Sequence, residues 1–589
     1  MLDHLSGGGA VARRGRRETS VWTCALTRTL LVLGAVVVAG CGGAGPEPRT
    51  AGDVQLLVGT ADRTTAPGEV LDYRPTGRIV TDNGLRPVQD GFGFANYGDD
   101  QDVTNLTPAA VEELFGPTVC ASGTRSTCRL IPPARAWMEE ENVAMAAGHC
   151  FGMAAATAQF FRQELHPPRF GEASAPRLPL VGNAPLQRTL AQLNAIQELP
   201  SVRRTAIAGT PNQVLDRLIA SLKPGGTPYV LGLFRAEGGG HAVTPYAVED
   251  RGDDRFAVLV YDNNFPGVTR AVSFDRRANA WAFVAQQDPR DPEQRYSGSG
   301  TASNLALFPA AKPEGFLPCP FCLTSDAAAK DAGPPTVQIA LEADPVNHSH
   351  LLIRDARGRR TGWVRGRFVR EIPGSEIVRR MTAATWKQNG EPVYTIPAGV
   401  PFTVTMDGAA LKGPVTERLE VIGPGDRVEL AGVALRRGEK VSAAVAGDGS
   451  RVDLTIDPRH DESPLLRVGI EGHPTSWDFT LKAHRLRGGS TLGLRLDKAR
   501  QELDIDTRRV VDTAGYDVGI GTYDVGFDRY DVRLDRLGRD GTATFEHDDL
   551  RIPRGTFARL GYGSFDDRHR RLTLVEERGG RTRTERIGG

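Results

Sequence analysis

The chain has no net charge, with 72 Lys and Arg balanced by 72 Asp and Glu in 589 residues. That balance excludes a protein drawn to nucleic acid by its bulk field, and no nucleic-acid partner is expected. Lysine is scarce, only eight of the 72 cations. The arginines that replace it are scattered among equal numbers of acids, so the bias reads as base composition and not as a phosphate-binding surface. Long apolar runs are also missing. The run at residues 30–38 is too short to require a permanent membrane span. Hydrophobic residues at 40% and charged residues at 24% fit a folded protein better than a disordered or polytopic one. The length allows about two to four domains.

The N-terminus has the layout of an export signal. Arg13-Arg14-Gly15-Arg16-Arg17 precede the apolar run, which ends at Ala39-Gly40-Cys41. Val38-Ala39-Gly40-Cys41 resembles a bacterial lipobox. The resemblance implies that residues 1–41 are a signal peptide ending at a lipidated Cys41, so that the rest is extracytoplasmic and anchored by lipid to the bacterial cell membrane or envelope. An uncleaved anchor helix and plain secretion are the alternatives, and both leave the remaining chain outside the cytoplasm. Residues 42–89 read as a linker that opens with the flexible Gly- and Pro-rich stretch 42–50.

Seven cysteines are present, and Cys24 leaves with the signal. With Cys41 lipidated, five remain in an oxidising compartment, an odd number that leaves at least one thiol unpaired or intermolecular. Cys120 and Cys128 flank a Ser-, Gly- and Thr-rich loop suited to a local disulfide. Cys319-Pro-Phe-Cys322 could be a redox motif or half a zinc site, but no second CxxC accompanies it, and a structural disulfide is expected. Cys150 is then the odd thiol. No metal ligand set or cofactor motif is read.

After Gly148-His149, the stretch from Cys150 favours helix. Cys150, Met153, Ala154, Thr157, Phe161 and Leu165 follow one another at three- and four-residue steps, which predicts a core-facing stripe. A thiol in the first turn of a helix meets unpaired N–H groups and the positive end of the dipole, which favours thiolate. The competing reading is a small buried hydrophobe. Residues 229–234 read as a strand. Gly238-Gly239-Gly240 then leads into His241 and an apolar strand, a polar turn at 249–254, and a returning strand that ends at Tyr261-Asp262-Asn263. A two-residue loop at Arg251-Gly252 puts His241 opposite Asp262, and a longer loop brings up Asn263. Either residue type can orient an imidazole, so that assignment stays open.

Helix-start thiol, strand-start histidine, then Asp or Asn is the chain order of the papain-like cysteine peptidase superfamily. Gly148-His149-Cys150-Phe151-Gly152 resembles its cysteine-helix entrance, and residues 241–250 and 260–267 resemble its histidine strand and the strand after it. The resemblance spans roughly residues 90–310. It implies a two-lobe site in which Cys150 attacks a carbonyl, His241 moves the proton and Asp262 or Asn263 holds the ring. Such enzymes carry an oxyanion glutamine about six residues before the cysteine, where this chain has Ala144. Asn142 is the side-chain amide expected to substitute. His149 is read as a helix-cap or cleft residue. Helices are expected at about 185–199 and 211–222.

Residues 311–335 read as a linker containing the CxxC. Beyond it the periodicity becomes two, with short strands near 337–341, 350–354, 393–396, 402–405 and 427–430. A β-sandwich-like domain is expected at 336–485 and a β-rich one at 486–589. Tyr516, Tyr523 and Tyr530 each begin a Tyr-Asp-Val triplet at seven-residue spacing, which predicts a bent or bulged ribbon with solvated turn acids at Asp517, Asp524 and Asp531. The expected fold is thus an α+β papain-like two-lobe domain at 90–310 followed by all-β sandwich-like domains. The expected function is a membrane-anchored cysteine peptidase or amidase acting on a peptide or protein substrate without a cofactor. A transglutaminase-like acyl transferase and an inactive papain-like surface-binding or adhesion lipoprotein are the alternatives.

Overall fold

The computed structural model describes residues 72–98, 103–235, 239–285, 295–311, 314–323, 333–382, 390–511, 527–539, 541–566 and 568–588. The export segment, Cys41 and the first two Tyr-Asp-Val triplets lie outside them. Among the described residues no helix is long and apolar enough to cross a membrane. The fold is predominantly β.

Among the described residues, α-helices are confined to the first half. Their starts are written in the sequence as a polar cap followed by proline. Thr107 accepts from Ala110 N ahead of Pro108–Phe115, Asn183 accepts from Leu186 N ahead of Ala184–Ala195, and Thr210 with Gln213 forms a capping box for Pro211–Ser221. The helix at Cys150–Phe161 differs from the expected stripe. It stops before Leu165, and nearly every side chain along it is buried. Its run of alanines lets neighbours approach from all sides. At Gly152 an added Cβ would lie 2.2 Å from Leu190 O of the adjoining helix.

Nine strands form an antiparallel sheet. Its path runs Arg295–Ser299, Ala280–Val284, Thr269–Asp275, Arg255–Tyr261, Gly240–Asp250, Tyr229–Phe234, Leu305–Pro309 and Ile207–Ala208. Strand alternation divides two cores. Leu231, Leu233 and Val243 pack with Val214, Leu215 and Leu218 of helix Pro211–Ser221. Val230 and Ala242 pack on the other side with the cysteine helix. The ninth strand, Arg78–Asp82, pairs with Ala247–Asp250, so residues 78–82 belong to the sheet and not to the linker expected up to residue 89. Buried Glu249 holds this segment by accepting from the Tyr73 hydroxyl and from the N–H groups of Thr76 and Gly77.

The second half stacks a nine-stranded and an eleven-stranded antiparallel sheet, and every sequence-predicted strand there is found. Successive hairpins are laid down alternately on the two sheets, and one apolar core runs from Val337 to Ile587. A division near residue 485 is therefore not visible in the packing: Thr491–Asp497 and Glu502–Arg509 continue the sheet begun by earlier strands. Tyr530 lies inside Phe527–Gly538, whose ladder shifts register between Tyr530 and Val532, as the expected bulge requires. Asp531 corrects the turn-acid reading. It sits within that strand, with its Oδ1 2.6 Å from His484 Nε2.

The CxxC segment is part of a core. Cys319 and Cys322 are disulfide-bonded, and Phe321 stacks on Trp137 with 5.4 Å between centroids. Within the expected linker at 311–335, Leu317, Cys319, Phe321 and Cys322 pack into the helical half, and Phe321 O accepts Gly425 N of the β half at 2.9 Å.

A second tie joins the halves. Residues 379–382 reach from the β half into the helical half, where Met381 is buried and its backbone exchanges hydrogen bonds with the Gln197 amide. Arg380 ion-pairs there with Glu140 and Glu198, beside Glu141. Burial, then the Glu198 carboxylate, push the Glu141 carboxyl well above the usual range, so Glu141 holds a proton. Arg380 therefore neutralises carboxylates that have left water. Replacing it uncovers them, whereas Glu141→Gln copies the protonated acid. Denaturant unfolding is expected to show Arg380→Met destabilised by about 3–5 kcal/mol and Glu141→Gln within roughly 1 kcal/mol of wild type.

Candidate active site

Two disulfides, Cys120–Cys128 and Cys319–Cys322, leave Cys150 as the free cysteine among the described residues. Cys150 opens the helix Cys150–Phe161 and is fully buried. Its thiol interacts with His241 and favours the charged ring. His241 follows Gly240 at the start of the long strand Gly240–Asp250, and its Nε2 lies 2.8 Å from Asp262 Oδ1. Nδ1 is thus the ring nitrogen left for the thiol. The structure brings together three of the predicted site residues in the order thiol, imidazole, carboxylate.

The register that joins them differs from the expected one. The hairpin turn has four residues, closed by Arg251 N donating to Arg255 O at 2.9 Å, with Gly252, Asp253 and Asp254 at positive φ. The ladder then slips by one residue around Tyr246, next to Pro245, which has no N–H to donate. Thr244 consequently pairs with Tyr261, and Asp262 lies beyond the ladder in a turn where Phe265 N donates to its carbonyl at 2.9 Å. Asp262 reaches the imidazole from that turn and not from directly across the sheet.

Asp262 is enclosed by positive charge. Arg270 Nη1 lies 3.5 Å from its Oδ2, and the guanidinium sits over Phe265 and Phe283 at 4.6 and 5.1 Å from the ring centroids. Burial pushes the Asp262 carboxyl up, but His241 and Arg270 hold it below the usual carboxylate range. Burial likewise opposes charge on His241, yet the Asp262 carboxylate and Cys150 raise its pKa to about 9. The resting imidazole at neutral pH is a cation.

Asn263 settles the open choice of orienter. Its Nδ2 donates to Cys150 O at 3.0 Å and to Ala242 O at 2.9 Å, so it staples the cysteine helix to the histidine strand and leaves the ring to Asp262. Asn142 is not placed to donate to a substrate: its Oδ1 and Nδ2 are both bound to the Leu106 backbone, at 2.8 and 3.0 Å. His149 stands at the N-cap position of the helix, as one of the two expected readings has it, but its side chain makes no capping bond. It is buried, stacked on Tyr97 at 4.1 Å and bonded to Tyr97 O and Asn105 Oδ1 at 2.9 Å each. Burial lowers its pKa to about 4, so it is neutral.

The residue missed from the sequence is Asn96. Its Oδ1 accepts His149 N at 2.7 Å, one residue before Cys150, and its own N donates to Asn263 O at 2.8 Å. An amide fifty-four positions upstream of the thiol gives no local signal. A cleft of about 460 Å³ passes the site, walled by Ala144 and Ala147 before the cysteine, Gly239 and Gly240 before the histidine, and Pro345 and Glu391 of the β half. Met381 forms an isolated parallel bridge with Gly240, and a Cβ at Gly240 would fall 3.1 Å from its side chain. Cys150 and His241 have no solvent exposure.

Comparison with known protein families, with curated proteins and with solved structures finds no match for this chain.

The His241 shift gives stability a pH dependence of definite sign. Because folding raises its pKa from 6.5 to about 9, the contribution is complete below pH about 6.5 and is lost as the pH rises through about 9. Thermal melts over that window are expected to fall with pH in the wild type and to be flatter in His241→Gln.

Proposed function

We propose that the chain is an extracytoplasmic, lipid-anchored cysteine hydrolase of papain-like type that cleaves amide bonds in a peptide or protein substrate. One observation carries the reading: the Cys150 thiol, in the first turn of a helix, interacts with the His241 ring, and that ring is hydrogen-bonded to the Asp262 carboxylate. Cys150 attacks the substrate carbonyl as thiolate, and the imidazolium of His241 gives its proton to the departing amine. Water, deprotonated by the now neutral His241, then cleaves the thioester and restores the thiol. Asp262 keeps the ring in position through both steps. Ala144 lacks an amide and Asn142 is committed to Leu106, so neither side chain supplies an oxyanion donor. Lipid on Cys41 confines this chemistry to the membrane surface.

Full burial of Cys150 and His241 favours a second reading, in which the domain binds without turnover. Iodoacetamide labelling of Cys150 separates the two. The hydrolase reading expects labelling at pH 6 that slows at least tenfold in His241→Ala, while Cys150→Ala melts near the wild-type temperature. Labelling that is slow and independent of His241, in protein whose Cys150 reacts fully once unfolded, would leave the binding domain.

A further inference from the structure

His348 and His350 stand two residues apart where the chain enters the strand His350–Asp355, a spacing that puts both side chains on one face of extended backbone. Glu391 comes from the opposite sheet, two residues before the strand Val393–Pro397. One ligand-type atom from each of the three lies within 4.8 Å of the others. We propose that His348, His350 and Glu391 bind a single divalent transition-metal ion of the zinc class at the rim of the cleft.

The donor set is built and not incidental. Glu391 Oε1 is committed, accepting Leu351 N at 2.8 Å and the Tyr394 hydroxyl at 2.6 Å, while Oε2 faces His350 Nδ1 at 2.8 Å. Partners of this kind aim one carboxylate oxygen at a metal and hold it there. The His350 ring is fixed by stacking on Trp363 at 4.6 Å, and the His348 ring meets it edge-on at 5.2 Å. The carboxylates whose fields reach these imidazoles are Glu391, Asp344 and Glu417, all anionic when ionised. Two imidazoles grouped with a carboxylate suit a dication.

Two imidazoles and one carboxylate are a zinc donor set that leaves a coordination position open. Glu391 also lines the cleft that runs past Gly240. The ion would also join the two sheets at the end where they meet the helical half. This inference stands apart from the cysteine chemistry and survives its failure.

The test is titration of the EDTA-treated full chain with Co²⁺, followed by Zn²⁺ competition. The expected result is one equivalent of Co²⁺ with visible d–d bands, displaced by Zn²⁺. His348→Ala and His350→Ala should each weaken binding about 100-fold, and Glu391→Gln at least about tenfold. Cys150→Ala should bind as the wild type does, which excludes the thiol as a ligand. Melting of each apo variant reports its folding, and His348→Asn serves if the alanine variant does not fold. Absence of bands at millimolar Co²⁺, or affinity unchanged in folded His348 and His350 variants, would overturn the proposal.

Discussion

A carboxylate with no access to water must be surrounded by groups that replace it, and Asp262 is the carboxylate around which the first half is arranged. Desolvation alone would protonate it. The compensation comes from His241 on one side and Arg270 on the other, and each of those cations needs its own housing. Phe265 and Phe283 take the faces of the guanidinium, while the Val284 carbonyl accepts from it. Cys150 meets the remaining side of the imidazole. The sheet, the turn at Asp262 and the cysteine helix thus converge on one buried charge group, with Asn263 tying their backbones together.

Charge burial recurs where the halves meet. Arg380 enters a group of three glutamates, and the neighbouring Met381 packs where Gly232 and Gly240 lack side chains. Because Gly240 precedes His241, the seat of the β half is one peptide from the imidazole. The two halves therefore form one mechanical object around the site, although their cores are separate.

Much of this was legible in sequence because it is local. Helix starts at Ala184 and Pro211 follow from caps and prolines, the strands of the second half from period-two patterning, and both disulfides from spacing. The approach of Cys150, His241 and Asp262 was legible from order and pattern. Its register was not, since a four-residue turn moves the pairing and the slip beside Pro245 recovers only one residue of that shift, with no composition signal for either. Asn142 looked available because its partner, Leu106, is thirty-six residues away. The same holds for Asn96 and for the pairing of His348 and His350 with Glu391: long-range contacts make these sites, and only the His-x-His spacing was there to read. The strand Arg78–Asp82 and the CxxC segment passed for linkers because Gly and Pro punctuate their sequences; burial of Glu249 and Phe321 decided otherwise.

The alternation of hairpins between the two sheets makes the second half a ruler. Each hairpin adds two strands to one sheet, about 10 Å of width at the usual interstrand spacing, and rests mainly on hairpins already in place. Lineages of such a chain could therefore change the reach of the molecule in whole-hairpin steps, by duplication or deletion of a sequence segment, while the end that seats on Gly240 stays as it is.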